Sequence, residues 1–255
     1  MIARMLRTIW VAFVAFVDTL IFSTSVLAIA AVRSTSRIID PLIRLWATIL
    51  VKAAGIDLHS EGTELVDRSQ RYILIANHSS YFDIPCLFAA IPQPIRFMAK
   101  ISLFKIPVFG WALGRSGFIP IDRKNRRTAV KSFELAIDRI RKGNTIVVFP
   151  EEGRSRTREM RPFQRGGFLL AIRSGLPILP VAIDGTYDVM CAGATRVRPG
   201  RVTLRVGHTI VTEGLTVRDK DRLLEESRAQ ISAMLSEGQQ QLPADRDRST
   251  SAPRS

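Results

Sequence analysis

A chain of 255 residues is long enough to bury one substantial core, and its length favours a single domain with attachments over a multidomain arrangement. The 37 Lys and Arg against 23 Asp and Glu leave a net charge of +14, which calls for an anionic partner: nucleic acid, a membrane surface or a phosphorylated substrate. Two cysteines, Cys86 and Cys191, stand in no C-x-x-C or metal-ligand spacing, and with three histidines in the chain they argue against a zinc site and fit a reducing compartment.

Between Ile9 and Val32 the chain carries 24 residues with a single charge, Asp18. As a helix this stretch would reach about 36 Å, enough to span a bilayer. Asp18 falls near the middle, where a carboxylate costs roughly 2.5 to 3.5 kcal/mol on insertion scales. Arg4 and Arg7 on one side and Arg33 and Arg37 on the other flank both ends equally. A spanning helix, a helix lying in the interface and a cleavable signal ending at Ala28-Ile29-Ala30 are the three readings, and the length of the apolar stretch weighs against the third. After Asp40-Pro41, the residues Leu42, Leu45, Trp46, Ile49, Leu50 and Ala53 recur at helical spacing, with Arg44, Thr48 and Lys52 opposite. This second amphipathic helix either faces the membrane or packs on the core. Residues 1–54 are thus read as a membrane-associated helical segment.

From residue 56 strands and helices alternate. Strands are expected at 71–76, 95–99, 117–121, 145–149, 178–183 and 201–206. Helices are expected at about 126–142, between Asn125 and Gly143 as caps, at about 163–174, ended by Gly175, and at about 219–236. The alternation predicts an α/β domain over 55–237 with a mostly parallel central sheet flanked by helices. The tail from 238 to 255 has almost no apolar content and is expected to be disordered.

The apolar run Tyr72 to Ala76 stops on Asn77-His78, and Ser79-Ser80 before Asp83 and Pro85 reads as the capped start of a helix. Five residues of unbroken helix turn through about 500°, so His78 and Asp83 meet only if the chain bends between them. A strand-to-helix turn at the carboxyl end of a sheet provides that bend. A histidine acting as a base is neutral, with one ring nitrogen free and the other N–H held by an acceptor, a role open to Asp83. The bland alternative is a histidine at a helix start with Asp83 as an ordinary first-turn carboxylate. Two other segments, "SGFIPIDR" (116–123) and "VVFPEEGRSR" (147–156), end predicted strands with arginines, and in a parallel sheet strand ends share the edge where ligands bind. Arg123, Arg154 and Arg156 would then share a crevice with His78, and Lys100 would add a point charge. Residues 115–165 hold 14 Lys and Arg against 6 Asp and Glu, a net +8, so the basicity is concentrated there.

Asn77-His78-Ser79-Ser80-Tyr81-Phe82-Asp83, then Gly117-Phe118-Ile119-Pro120-Ile121-Asp122-Arg123, then Phe149-Pro150-Glu151 with Arg154-Ser155, then Leu179-Pro180-Val181-Ala182-Ile183, resemble in order and spacing the four blocks of the glycerolipid acyltransferases. The chain looks most like the bacterial 1-acyl-glycerol-3-phosphate acyltransferases. The resemblance, over roughly residues 55–215, implies an α/β acyltransferase domain, catalytic His78 and Asp83, and phosphate binding by Arg123 and Arg154. In that family the third block usually reads Phe-Pro-Glu-Gly-Thr-Arg-Ser, and here Glu152-Gly153 replaces Gly-Thr, which bears on the shape of the turn. Asn77, Glu151, Gly153 and Ser155 are supporting candidates. Asn77 either positions the turn or satisfies buried backbone groups, and Glu151 holds Arg154, contacts the acceptor or forms a loop ion pair. Cys86 reads as a small buried thiol rather than an acyl carrier, because the family reaction is direct. The apolar patch Phe104, Ile106, Val108, Phe109 and Trp111 reads as an acyl-chain or lipid contact, or as core.

The expected activity is a membrane-bound O-acyl transfer from acyl-CoA or acyl-carrier protein to the sn-2 hydroxyl of 1-acyl-glycerol-3-phosphate, at the cytoplasmic face of the inner membrane. Neither a metal nor a resident cofactor is expected. The rivals are the same chemistry on glycerol-3-phosphate, a lyso-ornithine lipid or another lysophospholipid, and a non-catalytic basic membrane-bound module that binds anionic lipid or nucleic acid. Because the sequence offers no nucleic-acid motif or aromatic stacking platform, no nucleic-acid partner is expected.

Overall fold

The continuous apolar run that ends before Asn77 becomes β2 (Ile73–Ala76), buried at all four residues, as a strand covered on both faces must be. It lies at the centre of a seven-stranded sheet in a computed structural model that describes residues 2–32, 36–122 and 126–240. The other strands are β1 (Ile56–Glu61), β3 (Ile95–Lys100), β4 (Ile119–Ile121), β5 (Thr145–Val148), β6 (Ile178–Asp184) and β7 (Gly200–Val206). The helices are α1 (Ile2–Val32), α2 (Ser36–Ala53), α3 (Asp83–Ala90), α4 (Phe109–Arg115), α5 (Arg126–Arg141), α6 (Gly166–Ser174), α7 (Thr186–Met190) and α8 (Lys220–Gln240).

The strand order is β1-β7-β6-β2-β5-β3-β4. Every neighbouring pair is parallel except β6 with β7. The predicted mostly parallel sheet is therefore present, with β1 and β7 reversed as a pair. Alternation along the strands divides the apolar residues between two cores. Leu74, Ala76, Val147, Leu179 and Val181 join α1, α2 and α3 on one face, and Ile73, Ile75, Ile146 and Ile178 join α5, α6 and α8 on the other.

Several expectations shift. β1 was not expected, because Asp57, His59, Ser60 and Glu61 make it a solvated edge strand with Ile56 as its one buried residue. The helices α4 and α7 are too short to show a period. The strand expected from 117 begins at Ile119, since Gly117 takes φ 89°. The last helix continues to Gln240, past the expected start of the tail at 238. Asn125 and residues 241–255 of that tail lie outside the described residues.

The N-terminal helices share the core of the sheet domain. Val11, Phe22 and Val26 of α1 are buried with Ile39, Ile43, Ala47 and Val51 of α2 in the same cluster as the sheet. The buried stripe of α2 is thus turned from the expected one, and Leu45 and Ile49 remain exposed. Arg44, read as solvent-facing, reaches the end of α3 and donates to the carbonyls of Ala89 (3.3 Å) and Ile91 (2.6 Å). On α1, Asp18 turns one carboxylate oxygen inward, and burial pushes its pKa up to about 6. The outer stripe of α1 (Ile9, Trp10, Phe13, Phe16, Leu20 and Ile21) is uncovered, and this helix alone among the described residues is long and apolar enough to cross a membrane.

Arg96 of β3, only 2% exposed, joins α2 to the sheet through its Nη2, 2.5 Å from Asp40 Oδ1. A buried guanidinium that loses its carboxylate is left uncompensated. Asp40→Ala should therefore lower stability by about 3 kcal/mol, read as a lower urea midpoint, and Asp40→Leu with Arg96→Met should recover most of the loss.

Candidate active site

At the carboxyl edge of the sheet, β2, β5 and β6 end side by side. The chain leaving β2 bends at residues 79–82 and enters α3 at Asp83, which carries the histidine and the carboxylate back together. His78 Nδ1 lies 2.7 Å from Asp83 Oδ2. The same oxygen accepts the backbone N–H groups of Ser79 (2.8 Å) and Ser80 (2.9 Å), and Oδ1 accepts the hydroxyl of Thr186 (2.5 Å). Asp83 is completely buried, and these four donors satisfy its charge away from water. The serines do not cap α3 as expected: Asp83 takes their N–H groups, while Ser80 Oγ donates to the Met190 carbonyl at 2.7 Å.

An ionised carboxylate only accepts, so the Nδ1 of His78 carries the proton and Nε2 presents a lone pair. The loop after β5 holds His78 at three points, one on the ring and two on its backbone. Phe149 stacks on the ring with centroids 4.0 Å apart and planes 11° apart, Glu151 Oε1 accepts the His78 N–H at 2.7 Å, and the Ser155 N–H donates to the His78 carbonyl at 2.8 Å. Glu151 thereby departs from two of its expected roles, holding Arg154 and forming a loop ion pair. It is 2% exposed, makes no ion pair among the described residues, and spends its second oxygen on the Arg161 N–H at 2.8 Å. Burial pushes its pKa above the usual carboxylate range, against the pull of the two N–H groups. Asn77 satisfies buried backbone: Nδ2 donates to the Ile183 carbonyl (2.9 Å) and Oδ1 accepts the Ile183 N–H (2.7 Å), which fastens the end of β2 to β6.

Arg154 is half-buried, its guanidinium carbon 3.4 Å from the ring centroid of Tyr81, and its Nη1 is buried with no hydrogen-bond partner among the described residues. A fixed, unsatisfied N–H on a cation is the half-site an oxyanion completes. Gly153 packs against Arg161, whose Nη1 would lie 2.7 Å from an added Cβ. Glu152 stands where the related block has glycine and adopts φ 56°, a left-handed conformation that glycine holds at lower cost. Lys100 ends β3 at the same edge, exposed, and no hydrogen bond or ion pair joins it to the His78 group among the described residues. Arg123 lies outside the described residues, and Arg156 is exposed. Cys86 is buried, and burial with the charge of Asp83 pushes its thiol well up, which suits packing and not nucleophilic attack. Of the apolar patch, Ile106 and Trp111 are exposed while Phe104 and Phe109 pack against the core. Among the described residues no group of His, Cys, Asp and Glu is placed to hold a metal ion.

Thr186 is the functional neighbour that sequence reasoning missed. Its only signal is its place just beyond the fourth block, at the end of a strand that reaches the same edge as His78.

Comparison with known proteins gives a consistent family. A family model described as Acyltransferase matches residues 57–184. A 1-acyl-sn-glycerol-3-phosphate acyltransferase of Saccharomyces cerevisiae is 33% identical over 197 residues, 76% of this chain and 65% of that protein. The human 1-acyl-sn-glycerol-3-phosphate acyltransferase alpha is 30% identical over 217 residues, 84% of this chain and 77% of that one. One from Chlamydomonas reinhardtii is 31% identical over 164 residues, and like two plant relatives, from Brassica napus and Arabidopsis thaliana, it is matched over about half its own length or less (48%, 44% and 42%). The crystal structure of the 1-acyl-sn-glycerophosphate acyltransferase PlsC from Thermotoga maritima shares the fold, with a TM-score of 0.83 at 24% identity over 95% of this chain and 98% of that one.

Thr186→Val removes a donor from a buried charge, a loss of about 1.5 to 3 kcal/mol, and should cut turnover by roughly tenfold or more with acceptor KM little changed, whereas Thr186→Ser should retain most of the rate. Glu152→Gly should relieve the left-handed strain and raise stability by about 1 kcal/mol in chemical denaturation.

Proposed function

The chain belongs to the acyltransferase family, and on that premise we propose that it transfers a fatty acyl group from acyl-CoA or acyl-carrier protein to the sn-2 hydroxyl of 1-acyl-glycerol-3-phosphate, giving phosphatidate. The observation that carries this reading is the His78–Asp83 pair, 2.7 Å apart, near an Arg154 guanidinium that has a buried N–H and no acceptor for it among the described residues.

In the proposed reaction the free Nε2 of His78 takes the proton from the acceptor hydroxyl as its oxygen attacks the thioester carbonyl. The carbon–sulfur bond then breaks, and the departing thiolate takes the proton back from Nε2, so the histidine ends as it began. Asp83 stabilises the imidazolium between these two transfers and keeps the tautomer fixed. Stacking on Phe149 limits rotation of the ring, so the lone pair keeps its direction while the ligands are held. Base assistance of this kind contributes about 10² to 10⁴ in rate, and the remainder rests on holding hydroxyl and thioester in register. Arg154, with Arg123 and Lys100 as further cations, binds the acceptor phosphate.

We place the reaction at a membrane surface, on the cytoplasmic face of the inner membrane. The support is the uncovered apolar stripe of α1 and the way that helix is fastened along its length. Thr8 Oγ1 accepts the Val197 N–H at 3.1 Å, and Thr19 Oγ1 accepts the Trp46 Nε1–H at 3.1 Å. Phe22 lies 5.8 Å from Trp46 between ring centroids. A helix held lengthwise against its domain suits an interfacial position better than a crossing one.

His78→Ala should lower turnover by about 10³-fold or more while the chain still folds, as read by circular dichroism and a cooperative thermal transition, and retained activity would reject the assignment. Arg154→Ala should raise the KM for lysophosphatidate by roughly tenfold with a smaller change in kcat, and a panel of phosphorylated and unphosphorylated acceptors should show the loss for the phosphorylated ones alone.

A further inference from the structure

A second set of arginines lies beside the catalytic turn but takes no part in the contacts described above. A cleft of about 300 Å³ opens between α7 and the segment leading to β7. Exposed Arg158, Arg196 and Arg198 line it together with half-buried Tyr187, Met190 and Cys191. The carboxylate in its lining, Asp188, is held by both terminal nitrogens of Arg158, at 2.9 and 2.5 Å. Neither Arg196 nor Arg198 has an ion-pair partner among the described residues. Three guanidinium groups against one carboxylate leave the cleft cationic over a partly apolar wall.

The wall of this cleft is built onto the catalytic turn. Cys191 pairs with Ser80 as an isolated antiparallel bridge, and Ser80 Oγ donates to the Met190 carbonyl. The Ser80 N–H meanwhile donates to Asp83. The Tyr187 hydroxyl of the cleft wall donates to the Arg156 carbonyl at 3.1 Å, in the same loop as Arg154. The cleft therefore adjoins the His78 site from the side of α7.

Acyl transfer brings two anionic substrates to one histidine. Arg154 serves the acceptor phosphate, and a second phosphate-bearing ligand in the same place would meet like charge. A thioester donor on a pantetheine arm carries its sulfur at one end and its phosphate at the other, so the phosphate binds an arm's length from the reacting carbon. We propose that the Arg158–Arg196–Arg198 cleft binds the phosphate end of the phosphopantetheine thioester donor, so that donor and acceptor are held by separate arginine sets. This deepens the acyl-transfer reading and rests on it. Concavity and attachment to the catalytic turn favour a donor over a flat contact with lipid headgroups.

The test is Arg196→Gln with Arg198→Gln in the full chain, compared with Arg218→Gln and Arg222→Gln, which remove equal charge near and on α8. Calorimetric titration with coenzyme A and with 4′-phosphopantetheine should show binding weakened about tenfold or more in the first variant and unchanged in the second. The KM for palmitoyl-CoA should rise to match, while the KM for lysophosphatidate and the turnover of S-palmitoyl-N-acetylcysteamine, a thioester without phosphate, stay within about twofold. Loss with both palmitoyl-CoA and palmitoyl-carrier protein supports recognition of the shared pantetheine phosphate, and loss with palmitoyl-CoA alone assigns the arginines to its nucleotide phosphates and overturns the pantetheine-phosphate assignment. Unchanged coenzyme A binding overturns the proposal, as does equal weakening in both variants. Weakened binding to phosphatidylglycerol vesicles with coenzyme A binding intact assigns these arginines to headgroups and overturns it too. If the unaltered protein consumes no thioester with any acceptor, the acyl-transfer reading fails, and the coenzyme A titration still decides the cleft.

Discussion

The site depends on one buried carboxylate. Asp83 accepts from the His78 ring, from two successive backbone N–H groups of the turn and from a hydroxyl that arrives from β6 through Thr186. A charge fully removed from water survives only if its lone pairs are engaged, and here the donors that engage it are the groups whose positions matter. The turn closes around the charge, and the ring is aimed by the same closure. Folding of the β2–α3 connection and orientation of the histidine are thus one event, which explains a spacing of five residues that no regular helix would favour.

The loop after β5 completes the restraint from the opposite side. Phe149 covers the ring, Glu151 and Ser155 grip the N–H and the carbonyl of the same residue, and Arg154 lies against Tyr81 two positions after the serine turn begins. A run of residues that reads along the chain as one binding motif divides in space into two tasks. Phe149, Glu151 and Ser155 fix the histidine, and Arg154 keeps a buried N–H without an acceptor among the described residues. The left-handed Glu152 belongs to this division, since the turn has to reverse sharply between Glu151 and Arg154.

Much of this arrangement was legible in the sequence because it follows from local rules. An unbroken apolar run signals a strand buried on both faces, and a histidine at its end with an acid a few residues on signals a bend. What stayed hidden depends on partners distant in the chain. Glu151 reads as a partner for Arg154, the acceptor or a loop cation until the His78 and Arg161 N–H groups are brought to it, and Thr186 has no pattern until β6 lies beside β2. The face of α2 was misjudged for a related reason: it is apolar on two adjoining sides, and periodicity alone does not say which of them meets α3 and which stays open. The solvated edge strand β1 has too little apolar content to announce itself.

The fastening of α1 has its own consequence. Val11, Phe22 and Val26 belong to the cluster that fills one side of the sheet, and Trp46 of α2 leans on Thr19 and Phe22. An apolar leader of this kind is not a detachable handle. Trimming it to obtain a more soluble fragment would strip the cover from Trp46 and from the buried stripe of α2, replacing one sticky surface with another inside the fold's own interior.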